Sequence, residues 1–453
     1  MNLMKIYNTS PIFFQNIFTT IAGYRNKINR YGKEYYNYLD INRRFNDEDI
    51  DSIQQYQDRE VKKLVNHAFK QSPFYKEFYK YIDIREINSV EDLKKLPILS
   101  KEVVRENINS LYTIKKRDSI ITHTSGTTGK SMLFLHTKEH FQQRMAILDY
   151  FKEQHGFINR KMKKATFNSS RIIPSRQKKK VFWRDNIFMK QRIYSGYHCR
   201  GDNIRYYVEN LNEYKPAALD GYPSSLFEIA KYIINHKIPL KFQPIAIFPS
   251  AETLIPHYRQ TIEQAFNCKI FNQYSASEGA PFITECEYGT LHYNQYSGVI
   301  EVNGENEILV TGFSTYGTPL IRYEIGDKVI FDNSNKKCPC GSIYPIVHQI
   351  EGRSMDYLQS KSNGKFTAPY LLESNEFENS LISVQFVQNS INQVDVNIVA
   401  DSSYNHKMDK IILEELNYIL GSDMKVIIHK MKELPKEPSG KLRLIINNIH
   451  NNK

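Results

Sequence analysis

Apolar residues recur at helical spacing from residue 49 to about residue 110. The segment SIQQYQDREVKKLVNHAFKQ carries an apolar side chain every three or four positions, which predicts one long amphipathic helix that SPFY then interrupts. In SVEDLKKL, Ser89 is followed three residues later by Asp92, a pattern that resembles a capping box, and Pro97 ends the stretch. Residues 1–110 are therefore predicted to form a mainly helical lead-in.

Beyond residue 110, short apolar runs alternate with helical patterns. The segments PIAIFPS, HYRQTIEQAF and CKIFNQYS show this α/β rhythm between residues 244 and 275. Strand formers joined by turn residues then dominate, as in GVIEVNGENEILVTGF, and predict a β-rich subdomain over about 285–350. These patterns predict a large, multi-sheet α/β domain that spans residues 1–352.

The last hundred residues have a different pattern. Apolar residues alternate at Val384 and Phe386 and again from Val394 to Ile398, a helical pattern follows and stops at Gly421, and the strand-like KVIIHKM comes next. We predict a small α+β domain over residues 353–453, tethered to the larger one.

The composition and net charge of this 453-residue chain restrict the classes of partner that it can bind. The net charge of +12 favours acidic partners such as nucleotides, anionic lipid surfaces or polyanionic glycans. No apolar run is long enough to cross a bilayer and no signal-peptide pattern is present, so we predict a soluble cytoplasmic protein. The first 27 residues mix apolar with later basic residues, which predicts an N-terminal packing helix with at most peripheral membrane contact.

The densest positive stretch runs from Arg160 to Arg184. Only Phe167, Phe182 and Trp183 interrupt it with aromatic rings, fewer than single-stranded nucleic-acid binding requires. We interpret this stretch as a solvated loop and expect no nucleic-acid partner. The sequence leaves the oligomeric state open.

The segment THTSGTTGK offers hydroxyls, two glycines and one lysine, a composition that suits an oxyanion such as phosphate. A Walker A loop would need glycine at position 124, where this chain has threonine, so that motif is excluded. A polar, glycine-rich turn without a ligand is the alternative interpretation.

Four side chains of metal-binding type could form a zinc site, although their spacing differs from that of a standard zinc finger. Three thiolates and an imidazole suit tetrahedral Zn²⁺, and the CPCG tetrapeptide would place two sulfurs on one ion. His348 is an alternative to the histidine of this set, and reduced cysteines without a metal are the competing interpretation. The predicted ligands are Cys286, His292, Cys338 and Cys340.

Four separated motifs together resemble those of the adenylate-forming enzymes, which include acyl-CoA synthetases, nonribosomal-peptide adenylation domains and luciferases. They occur in the order and roughly the spacing of that family and span about 320 residues. SPFYKEF, LPILSKEVVREN and CPCG are most similar to the phenylacetate-CoA ligase branch and its capsular-polysaccharide-biosynthesis relatives. The motifs are THTSGTTGK (122–130), QYSASEG (273–279), PLIRYEIGDKV (319–329) with EGRSMD (351–356), and LPKEPSGKLR (434–443).

The resemblance implies roles for individual residues. Lys441, Glu278 and Thr128 would be catalytic, with Glu278 also binding Mg²⁺, and Tyr222, Pro223 and Gly279 would line the substrate pocket. In the nucleotide site, Tyr274 would stack on adenine and Asp327 would bind the ribose hydroxyls. The implied nucleotide-binding residues are Ser125, Gly126, Thr127, Thr128, Gly129, Lys130, Ser250, Ala251, Glu252, Gln273, Tyr274, Ser275, Asp327 and Arg353.

The same resemblance implies an activity. ATP and Mg²⁺ would activate a small carboxylic acid as an acyl-adenylate, and the acyl group would pass to a thiol, on CoA or a carrier protein, or to an amine, in surface-polysaccharide biosynthesis. In this family a mobile C-terminal domain rotates between the two steps, but Met355 stands where the family's hinge has an acidic residue, with Asp356 next. The alternatives are an adenylyltransferase that leaves AMP on its substrate and a non-catalytic, basic polyanion-binding protein.

Overall fold

The computed structural model describes a chain of mixed helices and sheets. The residues it describes are 3–44, 49–123, 132–168, 170, 172–174, 177–199, 201–304, 306–334, 336–351, 357–361, 364–367, 381–400, 404–421, 423–435 and 442–449. The α-helices within them are α1 (Leu3–Thr9), α2 (Ile12–Arg30), α3 (Lys33–Arg44), α4 (Ile50–Gln71), α5 (Pro73–Phe78), α6 (Lys101–Leu111), α7 (Lys138–Gln154), α8 (Ile204–Tyr214), α9 (Pro223–Asn235), α10 (Pro256–Phe266) and α11 (His406–Leu420). Among the described residues, no helix has the length and apolar character needed to cross a bilayer.

The strands form two large sheets, one four-stranded sheet and two hairpins. They are β1 (Ile120–His123), β2 (Leu133–His136), β3 (Lys164–Asn168), β4 (Trp183–Asn186), β5 (Gln191–Ser195), β6 (Ala218–Gly221), β7 (Ala246–Pro249), β8 (Gln273–Tyr274), β9 (Ile283–Glu285), β10 (Leu291–Tyr293), β11 (Gly298–Val302), β12 (Glu307–Gly312), β13 (Tyr323–Phe331), β14 (Ile346–Glu351), β15 (Tyr357–Ser360), β16 (Gly364–Thr367), β17 (Leu381–Ser390), β18 (Gln393–Ala400), β19 (Lys425–Lys430) and β20 (Ile445–Asn447). The α/β fold class is confirmed.

Helix α4 begins where the sequence pattern predicts a long amphipathic helix. The Asp49 side chain accepts a hydrogen bond from the backbone N–H of Ser52 and caps the helix. The apolar face of α4 is buried against the seven-stranded sheet, and the SPFY break is the start of α5, where Ser72 is the N-cap and Pro73 the first helical residue. The buried apolar residues of α4 are Ile53, Val61, Leu64, Val65 and Ala68.

The predicted helix in SVEDLKKL is shorter than a full α-helix. The hydroxyl and backbone N–H of Ser89 both donate to the Asp92 carboxylate, so the capping interaction forms as expected. Only a 3-10 turn follows it, over Glu91–Lys95. Pro97 lies two residues beyond and prevents the extra turn that would make an α-helix.

The five-stranded sheet is mainly parallel. Its strand order is β4-β5-β3-β6-β7, with β5, β3, β6 and β7 parallel and β4 antiparallel at the edge. The parallel strands therefore end together at one edge of the sheet, where α/β proteins commonly bind ligands. The residues at this edge are Asn168, Ser195, Gly221 and Pro249.

The seven-stranded antiparallel sheet has the order β11-β12-β13-β14-β10-β9-β8. Its buried face packs against α4, α5 and α6 in one large apolar core. Strands β1 and β2 form a separate hairpin, and residues 124–131, which connect them, lie outside the described residues.

The C-terminal part has its own sheet and core. The sheet order is β19-β18-β17-β20, and helix α11 buries Ile412, Leu416 and Leu420 against it. The alternation predicted around Val384 and Val394 is correct, because these strand positions are buried. Residues 352 and 353 lie outside the described residues, so the proposed domain boundary stays a prediction.

Gly221 closes the sheet edge in a backbone conformation that only glycine tolerates here. Its φ is 141°, and a Cβ atom would lie 2.0 Å from the carbonyl oxygen of Phe167. We expect Gly221→Ala to lower the free energy of unfolding by about 2 kcal/mol or more, because strain and overpacking add. Urea unfolding measures this loss.

Gly201 is the matched control. It also has a positive φ, of 49°, but a Cβ there meets nothing within 4 Å. Gly201→Ala should therefore cost only the backbone term of about 1 kcal/mol. Equal losses in the two variants would contradict the close contact with Phe167.

Candidate active site

The turn after β7 brings several predicted nucleotide residues to the edge of the five-stranded sheet. The backbone N–H of Ser250 donates to the carbonyl of Gly221 at 2.9 Å, and the side-chain amide of Gln273 donates to the carbonyl of Pro249 at 3.0 Å. Ala251 has a φ of 65°, which costs a non-glycine residue about 1 kcal/mol. The surrounding bonds hold this turn in a strained form, as is common at ligand sites.

Tyr274 and Asp327, which are 53 residues apart in the chain, are in direct contact. The Tyr274 hydroxyl donates to the Asp327 carboxylate at 2.6 Å. Asp327 lies on β13 and is largely buried, while Tyr274 lies on β8 and is only partly buried. The two residues predicted to bind the base and the ribose are thus brought together by the seven-stranded sheet.

The buried carboxylate of Glu278 interacts electrostatically with the buried guanidinium of Arg144. Arg144, on α7, donates to the carbonyl of Ala276 at 2.9 Å and so holds the turn that carries Glu278. Burial lowers the pKa of Arg144 to about 10, and the negative charge of Glu278 opposes that shift. The arginine remains charged at neutral pH and balances the carboxylate.

Gly279 makes the turn after Glu278 possible. Its φ is 93°, and a Cβ atom would lie 2.4 Å from the side chain of Thr315. Any other residue here would displace the backbone that follows Glu278. Ser275 lies just before this turn and is exposed.

The hairpin β1–β2 is attached to this same turn. The Thr122 hydroxyl donates to the carbonyl of Ser277 at 3.2 Å and lies 2.8 Å from Nε2 of His136. The strand that leads into the predicted phosphate loop is therefore fixed beside Glu278. The loop residues Ser125, Gly126, Thr127, Thr128, Gly129 and Lys130 lie outside the described residues.

Glu252 joins three parts of the chain. One carboxylate oxygen accepts from the backbone N–H of Ser224 at 2.9 Å, in the first turn of α9, where a negative charge is stabilised. The other accepts from the Ser224 hydroxyl at 3.0 Å and from the backbone N–H of Leu442 at 3.1 Å. Tyr222 and Pro223 precede Ser224 and are buried.

One side chain of β17 bonds two described residues of the C-terminal segment, Pro435 and Arg443. The amide of Gln385, fully buried on β17, donates to the carbonyl of Pro435 at 3.2 Å and to the carbonyl of Arg443 at 2.9 Å. Residues 436–441 and Arg353 lie outside the described residues. The described neighbours of residues 436–441 nevertheless connect that segment to Glu252.

The predicted zinc ligands converge. The ligand atoms of Cys286, His292, Cys338 and Cys340 all lie within 4.8 Å of one another. The sulfurs of Cys286 and Cys338 are 3.7 Å apart, and the Cys340 sulfur is 3.4 Å from Nε2 of His292. Ligands of a tetrahedral Zn²⁺, with metal–ligand bonds of about 2.0–2.3 Å, are separated by about 3.3–3.8 Å.

Hydrogen bonds favour the thiolate form of Cys338 and orient the ring of His292. Burial raises the pKa of the Cys338 thiol, but hydrogen bonds from the Cys340 backbone and the Thr290 side chain outweigh it and lower the pKa to about 6. Nδ1 of His292 lies 3.2 Å from the carbonyl of Tyr344, which directs Nε2 toward the sulfurs. The set contains His292, so the alternative with His348 is not needed.

Protein CapK of Staphylococcus aureus is 39% identical to this chain over 463 aligned positions, which cover 99% of the chain and 100% of the relative. The chain belongs to the CapK family. The family model of the CapK C-terminal domain matches residues 358–448. The resemblance to the capsular-polysaccharide branch of the adenylate-forming enzymes is therefore confirmed.

Solved structures show that this CapK-family chain has the fold of an adenylate-forming CoA ligase. A 2-hydroxyisobutyryl-CoA ligase in its postadenylation state, in complex with R3-HIB-AMP, matches with a TM-score of 0.67 and 16% identity, over 86% of this chain and 88% of the ligase. The same ligase with 2-HIB-AMP and CoA, in the thioesterification state, matches with a TM-score of 0.55 and 16% identity, over 88% and 90% of the two chains.

Three residues of the CapK-family site were missed by sequence reasoning. Arg144, His136 and Gln385 lie in ordinary helix or strand segments, and no short motif surrounds them. Their roles come from contacts with residues far away in the chain, such as Ala276 and Arg443. Gln385 stands at the polar position between Val384 and Phe386, where alternation predicts a solvent-facing side chain, so no sequence signal indicated its burial.

His136 makes the stability of this CapK-family chain depend on pH. Burial, together with the positive charge of Arg144, lowers its pKa to about 4, from 6.5 in an exposed histidine. Below pH 6.5 the unfolded chain binds a proton that the folded chain does not, so stability falls as pH drops toward 4. We expect losses of up to about 1.4 kcal/mol per pH unit, measured by urea unfolding.

Two variants separate His136 from the rest of the chain. His136→Gln should reduce the slope of stability against pH between 6.5 and 4, because the titrating group is gone. His236→Gln removes an exposed histidine and should leave the slope as in the wild type. An unchanged slope in His136→Gln would show that His136 does not titrate as proposed.

Proposed function

We propose that this chain uses ATP to activate a small carboxylic acid as an acyl-adenylate. The observation that carries the proposal is the contact between Glu252 and the backbone N–H of Leu442, the residue after Lys441. Glu252 lies in the turn after β7, at the edge of the five-stranded sheet. In this turn the backbone N–H of Ser250 donates to Gly221, and the side chain of Gln273 donates to Pro249 at the end of β7. This contact supports the proposal that Lys441 acts at the nucleotide site, because Leu442 follows it directly in the chain.

The chemistry explains why the site needs positive charge. A carboxylate oxygen of the acid attacks the α-phosphorus of ATP, a new oxygen–phosphorus bond forms, and the bond to the bridging oxygen breaks to release pyrophosphate. Both reactants are anionic, so Lys441 would act by neutralising charge between them in the transition state. Its role is supported by the SGK context of the family motif and by the attachment of its neighbour Leu442 to Glu252.

The nucleotide would bind to residues from both large sheets. In this proposal the ring of Tyr274 stacks on adenine, Asp327 accepts from the ribose hydroxyls together with Arg353, and loop 125–130 binds the outer phosphates. The contact between Tyr274 and Asp327 supports a common site for base and ribose. Thr128 would act within the loop, whose preceding strand is fixed beside Glu278 through Thr122 and Ser277.

Glu278 fits the role of a magnesium ligand. It is a hard oxygen donor in a buried turn, and the buried cation Arg144 compensates its charge. When bound, Mg²⁺ would neutralise the phosphate charge and hold the triphosphate in line. The chain's own contribution is to keep the carboxylate at a fixed place, through the bond from Arg144 to Ala276 and the glycine at 279.

The acid would bind near the start of α9, beside Tyr222, Pro223 and Gly279. Tyr222 is packed against Gly196, where a Cβ atom would lie 3.3 Å from the ring. The Ser225 hydroxyl is buried there and has no hydrogen-bond partner among the described residues. A small acid with a hydrogen-bonding substituent would provide a partner for this hydroxyl.

The activated acyl group would then pass to a nucleophile. A thiol, on CoA or a carrier protein, or an amine attacks the acyl carbon, the bond to AMP breaks, and AMP leaves. Membership of the CapK family supports a role in surface-polysaccharide biosynthesis. The C-terminal domain would have to move away from Glu252 between the two steps, about a hinge that contains Met355 and Asp356.

The test is pyrophosphate release with a panel of carboxylic acids, run on the wild type and on Lys441→Ala. We expect release only with a matching acid, and at least about 100-fold slower turnover in the variant, because one stabilising charge is lost from the transition state. ATP binding should be retained, since the proposed nucleotide contacts involve other residues.

Lys432→Ala is the matched control, because Lys432 is an exposed lysine of the same C-terminal part. It should keep wild-type turnover. Wild-type turnover in Lys441→Ala would remove that lysine from the mechanism. A stable, released product that keeps AMP attached would favour the adenylyltransferase, because an acyl-adenylate intermediate stays bound and loses AMP to the acceptor. Salt-sensitive polyanion binding without nucleotide affinity would favour the non-catalytic alternative.

We also propose that the four converged ligands hold a structural Zn²⁺. Support comes from the sulfur–sulfur distance of 3.7 Å and the sulfur–nitrogen distance of 3.4 Å, which match the edges of a zinc tetrahedron. The ion would join Cys286, next to β9, and His292, on β10, to the CPCG turn that precedes β14. A closed set of four protein ligands indicates a structural role.

Metal analysis of purified protein tests this proposal. We expect about one zinc per chain, lost in Cys338→Ser together with a lower melting temperature, because the turn loses its anchor. Cys268→Ser, a cysteine outside the cluster, should keep both the metal and the melting temperature. Zinc-free wild-type protein with the stability of the metal-treated sample would contradict a structural ion.

A further inference from the structure

Helix α2 exposes its apolar face to solvent. Six large apolar side chains are between 40% and 68% exposed, although a surface helix normally buries such residues. At 100° per residue their positions fall within one arc of about 100°. We call this set the apolar arc: Phe13, Phe14, Ile17, Ile21, Tyr24 and Ile28.

The opposite face of α2 is polar, and it is the face that packs on the protein. Gln15 accepts from Nε of the fully buried Arg184 at 2.8 Å, and Asn16 accepts from the backbone N–H of Asp185 at 3.0 Å. Gly23 lies so close to Asn186 that a Cβ would be 2.0 Å from its side chain. The helix is thus attached through polar contacts, and the predicted N-terminal packing helix packs with its polar side.

The apolar arc continues onto a neighbouring segment. Phe188 is 47% exposed, and its ring lies 5.0 Å from the ring of Tyr24, measured between centroids. Ile187, beside it, is also exposed. The exposed apolar surface is therefore formed by two segments that are distant in the sequence, α2 and the turn after β4.

Basic residues flank this surface and carboxylates are absent from the N-terminal segment. Residues 1–30 contain no Asp or Glu, while α2 carries Arg25 and Lys27 on the two sides of the apolar arc. The exposed lysines 178–180 lie near the first turns of α2, because the adjoining Gln177 and the α2 residue Gln15 both bond Arg184. An apolar arc with a positive flank is typical of helices that lie in the interface of an anionic membrane.

We propose that the apolar arc of α2 binds the surface of an anionic lipid bilayer. The arc would enter the headgroup region, and the basic flank would contact the lipid phosphates. A second copy of this chain is a poorer partner, because a symmetric contact through α2 would bring two basic, carboxylate-free segments together. This inference is independent of the proposed adenylation.

Vesicle co-sedimentation of the full chain tests the proposal. The probes are vesicles of phosphatidylcholine alone and vesicles of equal parts phosphatidylcholine and phosphatidylglycerol. We expect the wild type to sediment with the anionic vesicles, and Ile17→Ser/Ile21→Ser to lose about tenfold or more in partition coefficient, because two apolar side chains leave the interface. Arg25→Gln/Lys27→Gln should weaken binding to the anionic vesicles and flatten its salt dependence.

The control is Ile98→Ser/Ile245→Ser, which changes two isoleucines outside α2. Their side chains are 50% and 47% exposed, similar to the 40% and 50% of Ile17 and Ile21. It should bind as the wild type does. Circular dichroism should show all variants folded, since every changed side chain is exposed or half-buried. A wild type that stays in the supernatant with both vesicles, or an Ile17/Ile21 variant that binds normally, overturns the proposal. The proposal is also overturned if the wild type is a dimer that does not bind vesicles and the Ile17/Ile21 variant is a monomer.

Discussion

The candidate site depends on one carboxylate, that of Glu252. It follows a strained turn at the end of β7, caps the first turn of α9 through Ser224, and accepts a hydrogen bond from Leu442 of the C-terminal segment. Without it, the N-terminus of α9 would lose a negative partner for its dipole. The hydrogen bond that joins the sheet edge to the C-terminal segment would also be lost.

Local patterns predicted much of the secondary structure because capping and periodicity act over a few residues. Asp49 marks the start of α4, and the burial of Val384, Phe386 and Val396 follows from alternation alone. The prediction for SVEDLKKL was wrong in its length, since a capping pair starts a turn but does not guarantee that the turn continues. Family motifs then supplied the predicted site residues, and the fold brings two of them, Tyr274 and Asp327, into contact.

What the sequence could not provide are the partners of buried polar groups. Arg144 is one of several polar residues of α7 and is distinguished only by its bond to Ala276, more than a hundred positions away. The N-terminal helix was predicted, yet its orientation was not, because periodicity identifies an apolar face but not which face meets the protein. That orientation depends on Arg184, a buried cation that needs the amide oxygen of Gln15.

The same dependence fixes how α2 behaves in water. If the helix rolled half a turn about its axis to bury its apolar arc, Arg184 would stay buried but lose the hydrogen bond that Gln15 accepts. Losing a hydrogen bond to a charged group costs about 1.5–3 kcal/mol. The roll would also force Gly23 away from Asn186 and put larger side chains into a gap that only a glycine fits. Membrane attachment through α2 would therefore be constitutive, because no stable orientation of the helix buries the apolar arc.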